Sequence, residues 1–176
     1  MVDAVSGTTR LFMTVADPVH HLRTPSAFND LFAARGVEAV MIAAQVPRGD
    51  LRRFVDGLRG LRKLDGLIVT IRYKHAIASL CDELGSTARR VGAVNAVKIS
   101  GGRLIGENFD RIGFVEDLKR QGYDVRDKRV LILGSGGQAA AIAFALADAG
   151  APVLAIWNRP LAKVELDAMG RFIGAF

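Results

Sequence analysis

The stretch Val130-Leu131-Ile132-Leu133-Gly134-Ser135-Gly136-Gly137-Gln138-Ala139 constrains this chain more than any other. Four consecutive apolar residues read as a buried strand, the glycines as a turn, and Gln138 to Ala149 as a helix rich in small residues. A second apolar run, Val153 to Trp157, reads as another strand, so Arg129 to Arg159 forms one βαβ unit. In that context the spacing Gly134-x-Gly136-Gly137-x-Ala139 is a dinucleotide-binding fingerprint. Gly134 permits the tight turn and Gly136 and Gly137 let the backbone approach a pyrophosphate. The small Ala139 and Ala140 let the helix pack on the strand, and its N-terminus, at Gln138, offers unpaired N–H groups to the phosphates. The second strand runs out into Trp157-Asn158-Arg159-Pro160, with no carboxylate before Glu165. An acid there holds the free ribose hydroxyl of NAD, whereas an arginine accommodates the phosphate of NADP. The expected cofactor is therefore NADP, with NAD as the alternative; Arg159 is read as its phosphate contact, the other readings being a surface residue or a stack on adenine.

The N-terminal part follows a different pattern. Arg10 to Ala16 reads as a strand ending at Asp17-Pro18, and Thr24-Pro25 as an N-cap with proline behind it. The helix that follows carries Phe28, Leu31 and Phe32 and stops at Gly36. Ala39 to Val46 and Gly66 to Ile71 read as further strands around an amphipathic helix, Asp50 to Leu61, with Leu51, Phe54, Val55 and Leu58 on one face. This β-α-β-α-β order predicts a parallel sheet with crossover helices. Lys74 to Leu84 is expected to be helical, Val94 to Gly106 a hairpin turning at Gly101-Gly102, and Arg111 to Gln121 a helix. The expected class is α/β: an N-terminal substrate-binding domain with a mostly parallel sheet over residues 1–108, then a partial, truncated Rossmann-like domain over 109–176.

Composition excludes several function classes. The net charge of +6 invites a nucleic-acid reading, but Arg52, Arg53, Arg59, Arg62 and Lys63 are scattered among helix-like apolar positions. No basic run, aromatic-basic alternation or zinc spacing appears, so no nucleic-acid partner and no metal are expected. The longest apolar stretch, Ala139 to Trp157, is interrupted by Asp148, Gly150 and Pro152, which argues against a membrane span. The single cysteine, Cys81, sits in an apolar pattern and reads as a buried small residue. MVDAVSGTTR lacks the charged-then-apolar order of a signal peptide, and a cytoplasmic enzyme is expected.

Hydride transfer between a nicotinamide and a carbonyl needs a proton donor. Lys74, after the third strand, and Asp110, in Gly106-Glu107-Asn108-Phe109-Asp110, are the candidates: a carboxylate can hold a lysine ammonium in place, and the same pair also serves as an ordinary salt bridge. Adjacent His20 and His21 in an extended loop point in opposite directions, and no cluster of Cys, Asp or Glu accompanies them, so a hydrogen-bonding role is expected rather than a metal site.

Five ordered blocks add to this. Pro18-Val19-His20-His21-Leu22-Arg23-Thr24-Pro25 resembles P-I-x-H-S-x-S-P, and Val69-Thr70-Ile71-Arg72-Tyr73-Lys74 resembles V-T-V-P-F-K. Gly92-Ala93-Val94-Asn95 matches G-A-V-N, residues 106–110 resemble G-D-N-T-D, and residues 134–139 match G-A-G-G-A-[SA]. Over nearly its whole length the chain is similar to the shikimate dehydrogenase family. The resemblance implies reversible NADP-dependent hydride transfer at the 3-hydroxyl of a shikimate- or quinate-like cyclic acid, with Lys74 and Asp110 as the catalytic pair. It implies that Thr70 and Asn95 bind substrate hydroxyls, Thr24 the substrate carboxylate, and Asn158 and Arg159 the cofactor, with Pro160 in place of the family's threonine.

The departures bear on the substrate. Leu22 stands where the first carboxylate-binding serine belongs, Ile68 where N-V-T has its asparagine, and Arg72 where a proline precedes the aromatic residue. Losing a hydroxyl on a buried carboxylate costs about 1 to 3 kcal/mol, which is enough to change substrate preference. Arg72 is either a compensating charge or a solvated surface residue. Only two strands and one further helix, Leu161 to Phe172, can be drawn after the glycine turn, whereas a Rossmann half needs three strands. A ligand-binding module without turnover is therefore the alternative reading, and a homodimer is one way to cover the sheet edge beyond Trp157.

Overall fold

The computed structural model describes residues 5–70, 72–134 and 136–157. By its internal contacts the chain divides into two compact units, residues 1–108 and 109–176.

The first unit is built on six strands. They are β1 (Arg10–Ala16), β2 (Ala39–Gln45), β3 (Leu64–Val69), β4 (Glu83–Leu84), β5 (Ala96–Ser100) and β6 (Arg103–Glu107), in the sheet order β2-β1-β3-β5-β6-β4. β1 runs parallel to both β2 and β3, with Val15 opposite Ala44 and Val69. β5 enters antiparallel to β3 and turns back as β6, so the amino end of β5 and the carboxyl ends of β1, β3 and β6 share one edge. The helices are α1 (Thr24–Ala34), α2 (Leu51–Leu58), α3 (Lys74–Ala78) and α4 (Ser86–Val91). α2 buries Leu51, Val55 and Leu58 against Val15, Leu67 and Val69 of the sheet. Burying each of these side chains contributes roughly 1.5–3 kcal/mol.

Two local expectations are corrected. Thr24 is the first residue of α1, and Arg23 takes the cap position without a side-chain hydrogen bond. No residue of α1 is fully buried, and Phe32 instead packs its half-buried ring against Phe12 at 5.4 Å. The helix expected over Lys74 to Leu84 stops at Ala78, because β4 is drawn into the sheet beside β6. There Asp82 donates its N–H to Leu104 O at 2.9 Å and accepts Leu104 N–H on its carboxylate at 2.7 Å.

The second unit contains α5 (Asp110–Arg120), β7 (Arg129–Leu133), α6 (Gly137–Asp148) and β8 (Val153–Trp157). β7 and β8 pair in parallel. Ile132, Ala143 and Leu146 form a small core joined by Phe114, Leu118 and Ile156. The helix expected over Leu161 to Phe172 lies outside the described residues. No helix among the described residues is long and apolar enough to cross a membrane.

Candidate active site

The shared sheet edge of the first unit gathers the segments that the sequence singled out. Thr70 follows β3, and its N–H donates to Val15 O at 3.3 Å, which ties it to the end of β1. Tyr73 N–H donates back to Thr70 O at 3.3 Å, closing a turn immediately before Lys74 opens α3. Tyr73 fixes this turn because its ring is buried and its hydroxyl donates to Val46 O at 2.5 Å. Burial also raises the phenol pKa.

The Gly92-to-Asn95 segment is bonded to the same turn. Val94 N–H donates to Lys74 O at 2.8 Å, Val69 N–H to Asn95 O at 2.8 Å, and Asn95 N–H to Glu107 O at 3.0 Å. Gly92 ends α4 in the left-handed conformation, φ 69°, which favours glycine and redirects the chain into this segment. The backbone thus places Thr70, Lys74 and Asn95 on three consecutive pieces of one hydrogen-bonded edge, with all three side chains half-buried. Thr24, also half-buried, begins α1 after the loop that leaves β1 at this end of the sheet. Asp110 belongs to the second unit, where it is the first residue of α5.

Two residues of the 106–110 block, to which the sequence gives no role of their own, hold this edge together. Asn108 is fully buried and donates from Nδ2 to Ala93 O at 3.0 Å. Glu107 Oε1 accepts the N–H groups of Ala88, at 2.8 Å, and Asn108, at 2.7 Å. A buried asparagine between an acid and an aromatic residue looks from sequence like any loop polar residue. Only the strand end beside it shows what it satisfies.

The loop histidines depart from expectation. Leu22 N–H donates to Val19 O at 3.0 Å, so the segment turns instead of extending. The His20 and His21 rings therefore meet edge to face at 5.4 Å rather than pointing apart. No group of three or more His, Cys, Asp or Glu able to hold a metal occurs among the described residues. Burial pushes the Cys81 thiol up to about 11, which leaves it protonated and a poor nucleophile.

In the second unit, Gly134 and Gly136 stand between β7 and α6. Gly134 follows β7 at φ 119°, a conformation open to glycine and rare for other residues. Gly136 caps α6 in an extended conformation, and a Cβ placed on it would meet nothing within 4 Å. Gly137 and Gln138 begin the helix, and Ala139 packs half-buried against the core of the unit. Asn158 and Arg159, the expected ribose-phosphate contacts, lie outside the described residues. A cleft of about 680 Å³ between α5, residues 122–126 and the far end of α6 is a separate feature. It lies roughly 17 Å along the helix from the turn. Its charges are matched within the cleft, Arg111 with Asp148, Lys119 with Glu116 and Arg126 with Asp124.

A mostly parallel α/β unit with polar side chains at one sheet edge, followed by a strand–glycine turn–helix–strand unit, defines a two-unit protein of the α/β class. Residues 14–97 match the shikimate dehydrogenase substrate binding domain. The chain is 40% identical over 162 residues to the NADP(+) shikimate dehydrogenase of Symbiobacterium thermophilum, covering 92% of this chain and 55% of that one. It is 36% identical to the Aquifex aeolicus enzyme of the same name, covering 90% of this chain and 58% of that one. The crystal structure of shikimate 5-dehydrogenase from Listeria monocytogenes, in complex with shikimate and NAD, superposes with a TM-score of 0.87 at 31% identity, over 99% of this chain and 61% of that one. Over about nine tenths of its length or more the chain is similar to these shikimate dehydrogenases, and it spans somewhat over half of theirs.

Proposed function

We propose that the chain carries the substrate-binding half, and the phosphate-binding turn, of an NADP-dependent dehydrogenase acting on the 3-hydroxyl of a shikimate- or quinate-like cyclic acid. The observation that carries this reading is the bonded edge that brings Thr70, Lys74 and Asn95 together. Thr70 and Asn95 hold ring hydroxyls, and Thr24 contacts the carboxylate. The Lys74 Nζ takes the hydroxyl proton as the carbinol is oxidised and returns it in reduction, and Asp110 holds that ammonium in place. The nicotinamide, when bound, accepts or donates the hydride. The uncrowded Gly136 and the N–H groups of the first turn of α6 suit its pyrophosphate, and Arg159 with Asn158 suits the ribose phosphate of NADP over NAD.

The test is nicotinamide absorbance with NADP or NAD against shikimate, quinate and aminoshikimate. Lys74→Ala is expected to lower kcat by about 10²–10⁴-fold with little change in KM. Equal turnover by the variant would overturn the assignment of Lys74. The second reading, a binding module without turnover, is favoured by Leu22 and Ile68, which replace polar family residues. Tight binding of the acids without any absorbance change would select it.

A further inference from the structure

The turn that precedes Lys74 holds one residue for which neither strand pairing nor core packing accounts. Arg72 has φ 77°, and it is the only residue other than glycine with positive φ among the described residues. It stands third in the turn closed by Tyr73 N–H on Thr70 O, a position that selects glycine or asparagine when φ is positive. A proline, which the family motif has here, is locked near φ −65° and cannot take this conformation. The turn backbone is therefore particular to a chain with a non-proline residue at this position.

An unfavourable backbone conformation persists only where its surroundings over-determine it, and such residues concentrate at ligand sites. The buried Tyr73 on one side and the β3 strand end on the other supply that constraint here. The Arg72 side chain is exposed and forms no ion pair with any described residue. It sits between Thr70 and Lys74, at the carboxyl end of a strand that neighbours β1. The loop leaving β1 at the same end carries half-buried Leu22, which offers no hydrogen bond to an anion. A guanidinium presents a planar fork that matches a carboxylate.

We propose that Arg72 is the residue that selects a carboxylate-bearing substrate at this site, replacing anion recognition that Leu22 does not supply. The inference rests on the proposed function, because it needs a cyclic hydroxy acid to be the ligand of the Thr70–Asn95 edge. It makes acid recognition electrostatic where a serine would make it a neutral hydrogen bond, so binding should weaken as salt rises.

The experiment is calorimetric titration of the full chain with shikimate and with its uncharged methyl ester, at low and high salt, for the wild type, Arg72→Lys and Arg72→Gly. Glycine fits the turn, so that variant keeps the fold, and circular dichroism checks it. The expected result is a loss of about tenfold or more in affinity for the acid in Arg72→Gly, with the ester changed less than about twofold. Arg72→Lys recovers part of the loss, and only the charged proteins show salt-sensitive acid binding. Unchanged acid affinity in Arg72→Gly overturns the role of Arg72 and leaves the proposed function standing. Failure of the wild type to bind either acid or ester overturns both.

Discussion

A left-handed backbone costs an ordinary L-residue roughly 1–2 kcal/mol, and Arg72, at φ 77°, carries that cost. Its side chain recovers none of it through an ion pair within the described residues. Arg72→Gly is therefore expected to stabilise the chain by about 0.5–1 kcal/mol, after the greater entropy of glycine in the unfolded state is subtracted. Chemical denaturation would show this as a higher midpoint at unchanged slope, and a lower midpoint would mean that the arginine side chain stabilises the fold. Combined with weaker acid binding, the gain would mark Arg72 as a residue whose strain serves the ligand. At this scale the sequence shows that an arginine stands where a proline is expected, but it does not show the sign of φ. The next residue, Tyr73, is anchored to Val46 across the sheet, a contact that no local pattern encodes. The roles of Asn108 and Glu107 are hidden for the same reason, because their partners, Ala93 and Ala88, are distant in sequence.

The strands and helices that follow a clean period are legible: β1, β2, β3, the β5–β6 hairpin and the glycine turn into α6 all appear where apolar spacing and turn residues put them. The span Lys74 to Leu84 fails because Ile77, Cys81 and Leu84 satisfy a helical period, yet long-range bonds to β6 take the last residues into the sheet. Asp82 holds that rearrangement: its carboxylate accepts Leu104 N–H and receives Arg59 Nη1 at 2.6 Å, while Arg59 also donates to Gly102 O and Leu80 O. The Arg59 guanidinium and the Leu104 N–H hold the Asp82 carboxyl below the ordinary carboxylate range. A depressed folded pKa contributes stability that is present above the unfolded value and is lost as pH falls through the folded one. Asp82→Asn should therefore destabilise the chain at neutral pH, and its deficit should shrink as pH falls below about 4. Thermal unfolding from neutral to acid pH measures this, and a deficit that stays constant at low pH would show that charge is not the cause.

On the scale of the molecule, the two units differ in how completely the described residues cover their sheets. In the first unit Leu67, Val69 and Val97 are buried and α2 covers them. In the second, alternate residues of β7 and β8 divide into two sets. Val130, Ile132, Leu154 and Ile156 pack towards the helices, whereas Leu131, Leu133, Val153 and Trp157 are exposed, Leu133 at 72% and Trp157 at 59%. The register sets Leu133 beside Trp157 and Leu131 beside Ala155, so these side chains form one continuous apolar patch. Parallel strands are ordinarily buried on both faces, which is why β7 and β8 read in the sequence as unbroken apolar runs rather than alternating ones. The runs make the strands legible but do not tell which face the described helices cover. A patch of this kind is expected to promote association where nothing else covers it. Leu131→Lys with Leu133→Lys should shift sedimentation towards the monomer and leave the circular dichroism spectrum unchanged, because exposed side chains contribute little to the fold. If the double variant instead unfolds, these leucines are core residues of the chain in solution; if association persists in a folded variant, a different surface carries it, the uncharged edge strand β2 being the next to test.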